Sequence, residues 1–129
     1  MKKVKITIWG REFNLPVEFD IRDDEEVSPN QIEAVNKFIA SKEDIKSSIY
    51  EVVDYCSKKN PREFKYDNKG NIFKYVMPKY LFVPNDKHNH IVAIMCNYKF
   101  DSDNGIAVVF KNEKFSSIGN QDRILWVHN

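Results

Sequence analysis

HIVAIMCNYKF (residues 90–100), DSDNG (101–105), IAVVFK (106–111), NE (112–113) and KFSSI (114–118) follow one another near the end of the chain. The long runs are apolar and rich in β-branched residues, and the short segments between them are turn formers. This pattern predicts three antiparallel strands joined by two tight turns. The first run is apolar along most of its length, as a strand covered on both faces must be, which places it in the middle of a sheet. Asn104-Gly105 is expected to supply the positive φ angles of the first turn.

Working outward from this block, Ile72–Met77 and Tyr80–Val83 read as strands around Pro78, and residues 85–89 as a turn. At the other end of the chain, Val4, Ile6 and Ile8 alternate with Lys3, Lys5 and Thr7. After Gly10-Arg11, Phe13, Leu15, Val17, Phe19 and Ile21 alternate with polar residues. That is a hairpin with one buried and one wet face. Pro16 lacks a backbone N–H, which sets the second strand at a sheet edge or turns that position outward.

Between hairpin and strands lies a helical segment. Ser28, Pro29 and Gln31 form a capping-box start. Ile32, Val35, Phe38, Ile39, Ile45, Ile49, Val52, Val53 and Cys56 then recur at helical spacing, and Lys58-Lys59-Asn60-Pro61 ends the pattern. A continuous helix over 29–59 would be about 46 Å long, longer than the ~36 Å diameter of a domain this size. Ser41 and Asp44 offer a second start, so two helices with a break near Ala40–Lys42 are favoured over one. Residues 60–71 read as a loop. The expectation is a single α+β domain over 1–129: an antiparallel sheet with one or two helices packed on one face.

The 129 residues carry 20 basic and 19 acidic side chains, and 42% of them are hydrophobic, the balance of a globular domain without a global field for nucleic acid or membrane. No apolar run approaches the length of a membrane span or a secretion signal, so a cytoplasmic location is expected. Cys56 and Cys96 fall in apolar patterns and are expected as buried free thiols. Trp9 and Trp126 read as core or rim aromatics.

Few residues recommend chemistry. His88 and His90, two apart in extended chain, face one side and with Asp86 could share a metal, but the remaining histidine is His128, near the C-terminal end. Asp101-Ser102-Asp103-Asn104-Gly105 opens like a calcium loop, yet its glycine is fifth instead of sixth and Glu113 falls one place late. No phosphate loop, nucleophile elbow or zinc-protease motif occurs. No cofactor and no catalytic residue is assigned on this reading.

Charge is segregated instead. Asp20, Asp23, Asp24, Glu25 and Glu26 are interrupted only by Arg22. Lys58, Lys59, Arg62, Lys65, Lys69, Lys74 and Lys79 face only Glu63 and Asp67. Phe64, Tyr66, Phe73 and Tyr75 lie among these cations, the ingredients of single-strand nucleic-acid binding, though no ribonucleoprotein motif accompanies them. A charged protein partner fits better. Its surface is expected at Asp20, Asp23, Asp24, Glu25, Glu26, Lys58, Lys59, Arg62 and Lys65.

Three stretches, Ile8-Trp9-Gly10-Arg11-Glu12-Phe13, the D-x-D-x-G-I-A-V-V-F run from Asp101 to Phe110, and Ile118-Gly119-Asn120-Gln121-Asp122, resemble a family of small bacterial domains of unknown function. That family is similar in style to the accessory proteins that confer immunity to toxins. The resemblance implies binding and blocking of one toxin, and no catalytic residues. The function expected is thus a non-enzymatic protein-binding module. The alternative is a small enzyme or ligand-binding domain whose pocket forms only in three dimensions.

Overall fold

The computed structural model describes residues 2–67, 71–122 and 124. Lys69, Trp126 and His128, singled out above, lie outside them. The chain forms β1 (Lys3–Ile8), β2 (Arg11–Phe19), α1 (Pro29–Ala40), α2 (Lys42–Lys59), a 3-10 turn (Asn71–Lys74), β3 (Val76–Val83), β4 (Ile91–Tyr98), β5 (Asp101–Lys111) and β6 (Lys114–Gly119). The six strands make one sheet in chain order, and the fold is α+β as expected.

One pair departs from the antiparallel expectation. β2 runs parallel to β3, pairing Val17–Phe19 with Leu81–Val83. Parallel neighbours need a long crossover, and α1 and α2 fill it. This makes β2 an interior strand, with β1 at the edge. Pro16 is tolerated there because pairing with β3 begins only at Val17, whose own N–H reaches Lys2 O on the β1 side (2.9 Å). Pro78 lies inside β3, where the register with β4 shifts, so the two strands expected around it are one.

The helical segment breaks at Ser41, but not by the expected cap. The Ser41 hydroxyl donates back to Lys37 O (2.8 Å) and its N–H to Phe38 O (2.9 Å), closing α1 instead of opening α2. α2 starts on Glu43 and Asp44, whose charges suit the positive end of the helix. The inward face of α1 is Gln31, Ala34, Val35 and Phe38, and that of α2 is Ile45, Ser48, Val52 and Cys56. Ile32, read above as core, is 45% exposed. α2 touches both edge strands: Lys114 of β6 reaches Asp44 (3.4 Å), and the Trp9 indole beside β1 donates to Ser48 (3.0 Å).

β4 is central and buried on both faces. Val92, Ile94 and Cys96 join the core shared with the helices, while Ile91, Ala93 and Met95 pack with Phe82, Ala107, Val109 and Ile124 on the opposite side. Burying a side chain of this kind stabilises by about 1.5–3 kcal/mol, so the two layers supply most of the driving force.

The turns carry the strain. Trp9-Gly10 (φ 49° and 87°) and Asn112-Glu113 (φ 50° and 68°) are two-residue hairpin turns with both angles positive. The turn between β4 and β5, in contrast, is Lys99-Phe100, and Asn104-Gly105 lies inside β5. Between the pairs Cys96–Ile106 and Tyr98–Asp101, β5 carries extra residues as a bulge. Gly105 (φ 58°) sits in it so close to β4 that a Cβ would meet Cys96 O at 2.5 Å and the Gln121 amide nitrogen at 2.7 Å.

Candidate functional site

Parallel pairing of β2 with β3 brings their C-terminal ends side by side, so residues 20–26 and 84–90 emerge together at one end of the sheet. Asp20 N–H donates to Val83 O (2.9 Å). Gln31, 1% exposed, locks the junction: its amide donates to Asp20 O (3.2 Å) and Val83 O (3.1 Å), and its oxygen accepts from Ser28 N–H (3.0 Å). The capping-box residue therefore also ties two strand ends together, which fixes where the acidic loop leaves the fold.

The second loop is held as firmly. Asn30 donates to Asp86 O (2.8 Å) and Asn89 O (3.0 Å), and the Asp86 carboxylate accepts the N–H groups of His88 and Asn89 (2.8 Å each). His90 lies between two carboxylates, Nδ1 2.9 Å from Glu113 and Nε2 3.2 Å from Glu33. A neutral imidazole donates from one nitrogen only, so both bonds form together when the ring is protonated. This clamp joins α1 to the β5–β6 turn, where Asn112 also accepts from His90 N–H (2.9 Å). The sequence pointed to His90 but not to Glu33 or Glu113, which are 57 and 23 residues away.

His88 is exposed and does not converge with His90 and Asp86. The Asp101 carboxylate of the calcium-like run is bonded to Asn104, through the backbone N–H (3.2 Å) and the side-chain amide (3.3 Å). Among the described residues, no three His, Cys, Asp or Glu side chains are placed to hold one metal ion.

The acidic residues Asp20, Asp23, Asp24, Glu25 and Glu26 stay together. Residues 21–26 are all exposed, and Arg22 pairs with Glu25 (3.7 Å). Together with Asn85 and Lys87 the loop borders an open, polar cleft of about 600 Å³. The basic residues Lys58, Lys59, Arg62 and Lys65 do not join it. Lys58 and Lys59 close α2 and Arg62 and Lys65 follow it, beside Asn60, which accepts from the Tyr98 hydroxyl (2.6 Å) at the far end of β4. β4 spans about 23 Å, so the expected partner residues divide between opposite ends of the sheet.

At the basic end Lys58 pairs with Asp54 (3.0 Å) and Lys59 lies over the Tyr55 ring (5.8 Å). The nearby aromatics are engaged inside the fold: Phe64 packs on Tyr75 (4.9 Å) and Phe73 on Phe13 (5.4 Å). Phe64 and Tyr75 are buried, while Tyr66 and Phe73 are half-buried.

Both cysteines are free and buried. Burial pushes the Cys56 thiol up to about 11 despite the Tyr98 hydroxyl beside it, and burial and then Cys56 raise Cys96 as well. Thiols so placed remain protonated at neutral pH and are poor nucleophiles. A cavity of about 270 Å³ opens on the far side of the sheet between Ile91, Val109, Ile124 and Lys111, with neither described histidine in its lining. No helix among the described residues is long and apolar enough to cross a membrane.

A family described as "Domain of unknown function (DUF6985)" matches residues 1–125. No curated protein and no solved structure matches the chain.

Proposed function

The chain belongs to the DUF6985 family, and from that premise we propose that it is a non-enzymatic protein-binding module whose partner surface is the acidic end of the sheet. The observation that carries this reading is the state of the loop. Asp23, Asp24 and Glu26 are exposed, in a loop whose exit from β2 Gln31 holds against Val83, and without an ion pair among the described residues. The basic end spends part of its charge on contacts within the protein, at Asp54 and Tyr55. A patch of exposed carboxylates favours a basic partner, steers its approach and rejects acidic competitors. Nucleic acid and anionic lipid surfaces are repelled by the same charge.

The sharper form of the reading follows from the resemblance to toxin-immunity accessory proteins: the partner is a toxin, blocked by occupancy. Capture with the tagged protein tests the proposal against a variant carrying Asp23→Lys, Asp24→Lys and Glu26→Lys. The wild type should retain one stoichiometric basic protein and release it at high salt. The variant should lose that protein while keeping its circular dichroism and melting temperature. Equal retention by the folded variant would remove the acidic loop from the interface.

A further inference from the structure

We infer that the acidic loop and the apolar residues beside it form one docking surface, for a basic protein segment that carries an apolar anchor. This rests on the binding-module reading and narrows its partner. Among the described residues, three large apolar side chains stand exposed: Ile21 (38%), Ile32 (45%) and Tyr50 (74%). Single exposed apolar residues are ordinary. Of these three, however, Ile21 lies within the charged loop and Ile32 on the helix that follows it.

Each is exposed for a structural reason. β2 ends at Phe19, so Ile21, which continues its apolar alternation, is carried past the edge of the core. In α1 the inward position belongs to Gln31, whose amide closes the β2–β3 junction, and Ile32 is thereby turned outward. The fold buries a glutamine and exposes an isoleucine at adjacent positions, the reverse of what burial of apolar area favours.

Val27, Pro29, Ile32 and Asn36 line a shallow groove of about 720 Å³, with the Glu33–Lys37 ion pair (3.6 Å) also in its lining. Ile21 and the carboxylates of Asp24 and Glu25 line the neighbouring cleft. An apolar strip bordered by charge is the anatomy of a protein interface, where the centre excludes water and the rim selects the partner. Charge complementarity decides the occupant. Five carboxylates stand in the loop against Arg22, which is paired with Glu25, and against Lys87 across the cleft. The segment that fits carries lysines or arginines for the loop and an aliphatic or aromatic side chain for the strip between Val27 and Ile32.

Two synthetic peptides of equal positive charge test this on the full chain by fluorescence anisotropy. One carries lysines and leucines at helical spacing, and the other replaces every leucine by serine. The lysine–leucine peptide should bind about fivefold more tightly, as expected for covering a half-exposed isoleucine. Val27→Ser with Ile32→Ser should abolish that preference and leave the lysine–serine peptide unaffected. Tyr50→Ser, at an exposed position on α2, should change neither. Equal binding of the two peptides, a preference that survives the Val27/Ile32 variant, or one that is lost in Tyr50→Ser would overturn the apolar anchor. Charge reversal at Asp23, Asp24 and Glu26 should weaken both peptides. If it weakens neither, the acidic surface itself is wrong, which separates the two failures.

Discussion

Gly105→Ala should destabilise the protein far more than Gly10→Ala, although both glycines have positive φ. At Gly10 (φ 87°) an added Cβ would meet nothing within 4 Å. Only the left-handed backbone opposes it, at about 1–2 kcal/mol, offset by the ~0.4–1 kcal/mol that alanine removes from unfolded-state entropy. The net expectation is about 1 kcal/mol. At Gly105 (φ 58°) the same term applies, and the Cβ would also lie 2.5 Å from Cys96 O and 2.7 Å from the Gln121 amide. Gln121 can swing away, but it then loses its 3.0 Å bond to Cys96 O, worth about 1 kcal/mol. The Cys96 carbonyl belongs to the central strand and cannot move alone, and overpacking of this kind adds about 1–3 kcal/mol. The sum is about 3–5 kcal/mol, a large share of the ~5–15 kcal/mol that holds a domain together. Urea denaturation of both variants measures the difference directly. By calorimetry each kcal/mol should shift the midpoint by about 4 °C for a chain of this length. Gln121→Ala should add little to the loss in Gly105→Ala, because the bond from Gln121 to Cys96 O is already given up in the single variant. A Gly105→Ala variant within 1 kcal/mol of Gly10→Ala would refute the close approach of β5 to β4 at the bulge.

Gln31→Ala should cost about 2–4 kcal/mol by urea denaturation, because it removes three hydrogen bonds from a buried junction and leaves two carbonyls short of a donor; a loss under 1 kcal/mol would show that water replaces the amide freely. Ser48→Ala leaves the buried Trp9 indole N–H without its acceptor and should destabilise by about 1–2 kcal/mol, with a shift in tryptophan emission. Stability should fall at alkaline pH. Cys56, Cys96, Tyr98 and Tyr80 are all raised by burial, so the folded state holds protons that the unfolded chain releases. Their contribution is complete below the ordinary thiol value of 9.0 and is lost as pH rises, for Cys56 through about 11. Denaturant midpoints that stay level from neutral pH to beyond 10 would contradict that burial.

Much of the fold is legible from local pattern. Strict alternation in residues 3–19 marks the first hairpin, and Ser28-Pro29-Gln31 marks the helix start to the residue. The polar residues from Ser41 to Asp44 mark the break. In each case, a side chain's periodicity and its backbone preference act over a few residues. Misreadings arose where a distant partner overruled the local rule. Asn104-Gly105 has the letters of a hairpin turn, yet Gly105 is needed for approach to Cys96 and Gln121, and the turn moves to Lys99-Phe100. Ile32 fits the helical stripe, yet Gln31 takes the inward place because its amide meets Asp20 and Val83. Pro16 left an edge strand or an outward-turned position open, and the second holds: Pro16 lies on the face opposite Leu15 and Val17, and pairing that begins at Val17 lets β2 lie inside the sheet.

The candidate surface divides along the same line. The two charge runs are visible in the sequence because charge density is a property of neighbours along the chain. So are the alternating strands, the α+β class and the thiols in apolar surroundings. Only the tertiary structure decided that the acidic and basic runs lie at opposite ends of the sheet, that Glu33 and Glu113 close on His90, and that Ile21 and Ile32 are exposed. These follow from the parallel β2–β3 pair and its helical crossover. Periodicity sets which face of an element is apolar, but strand order and direction set which elements become neighbours.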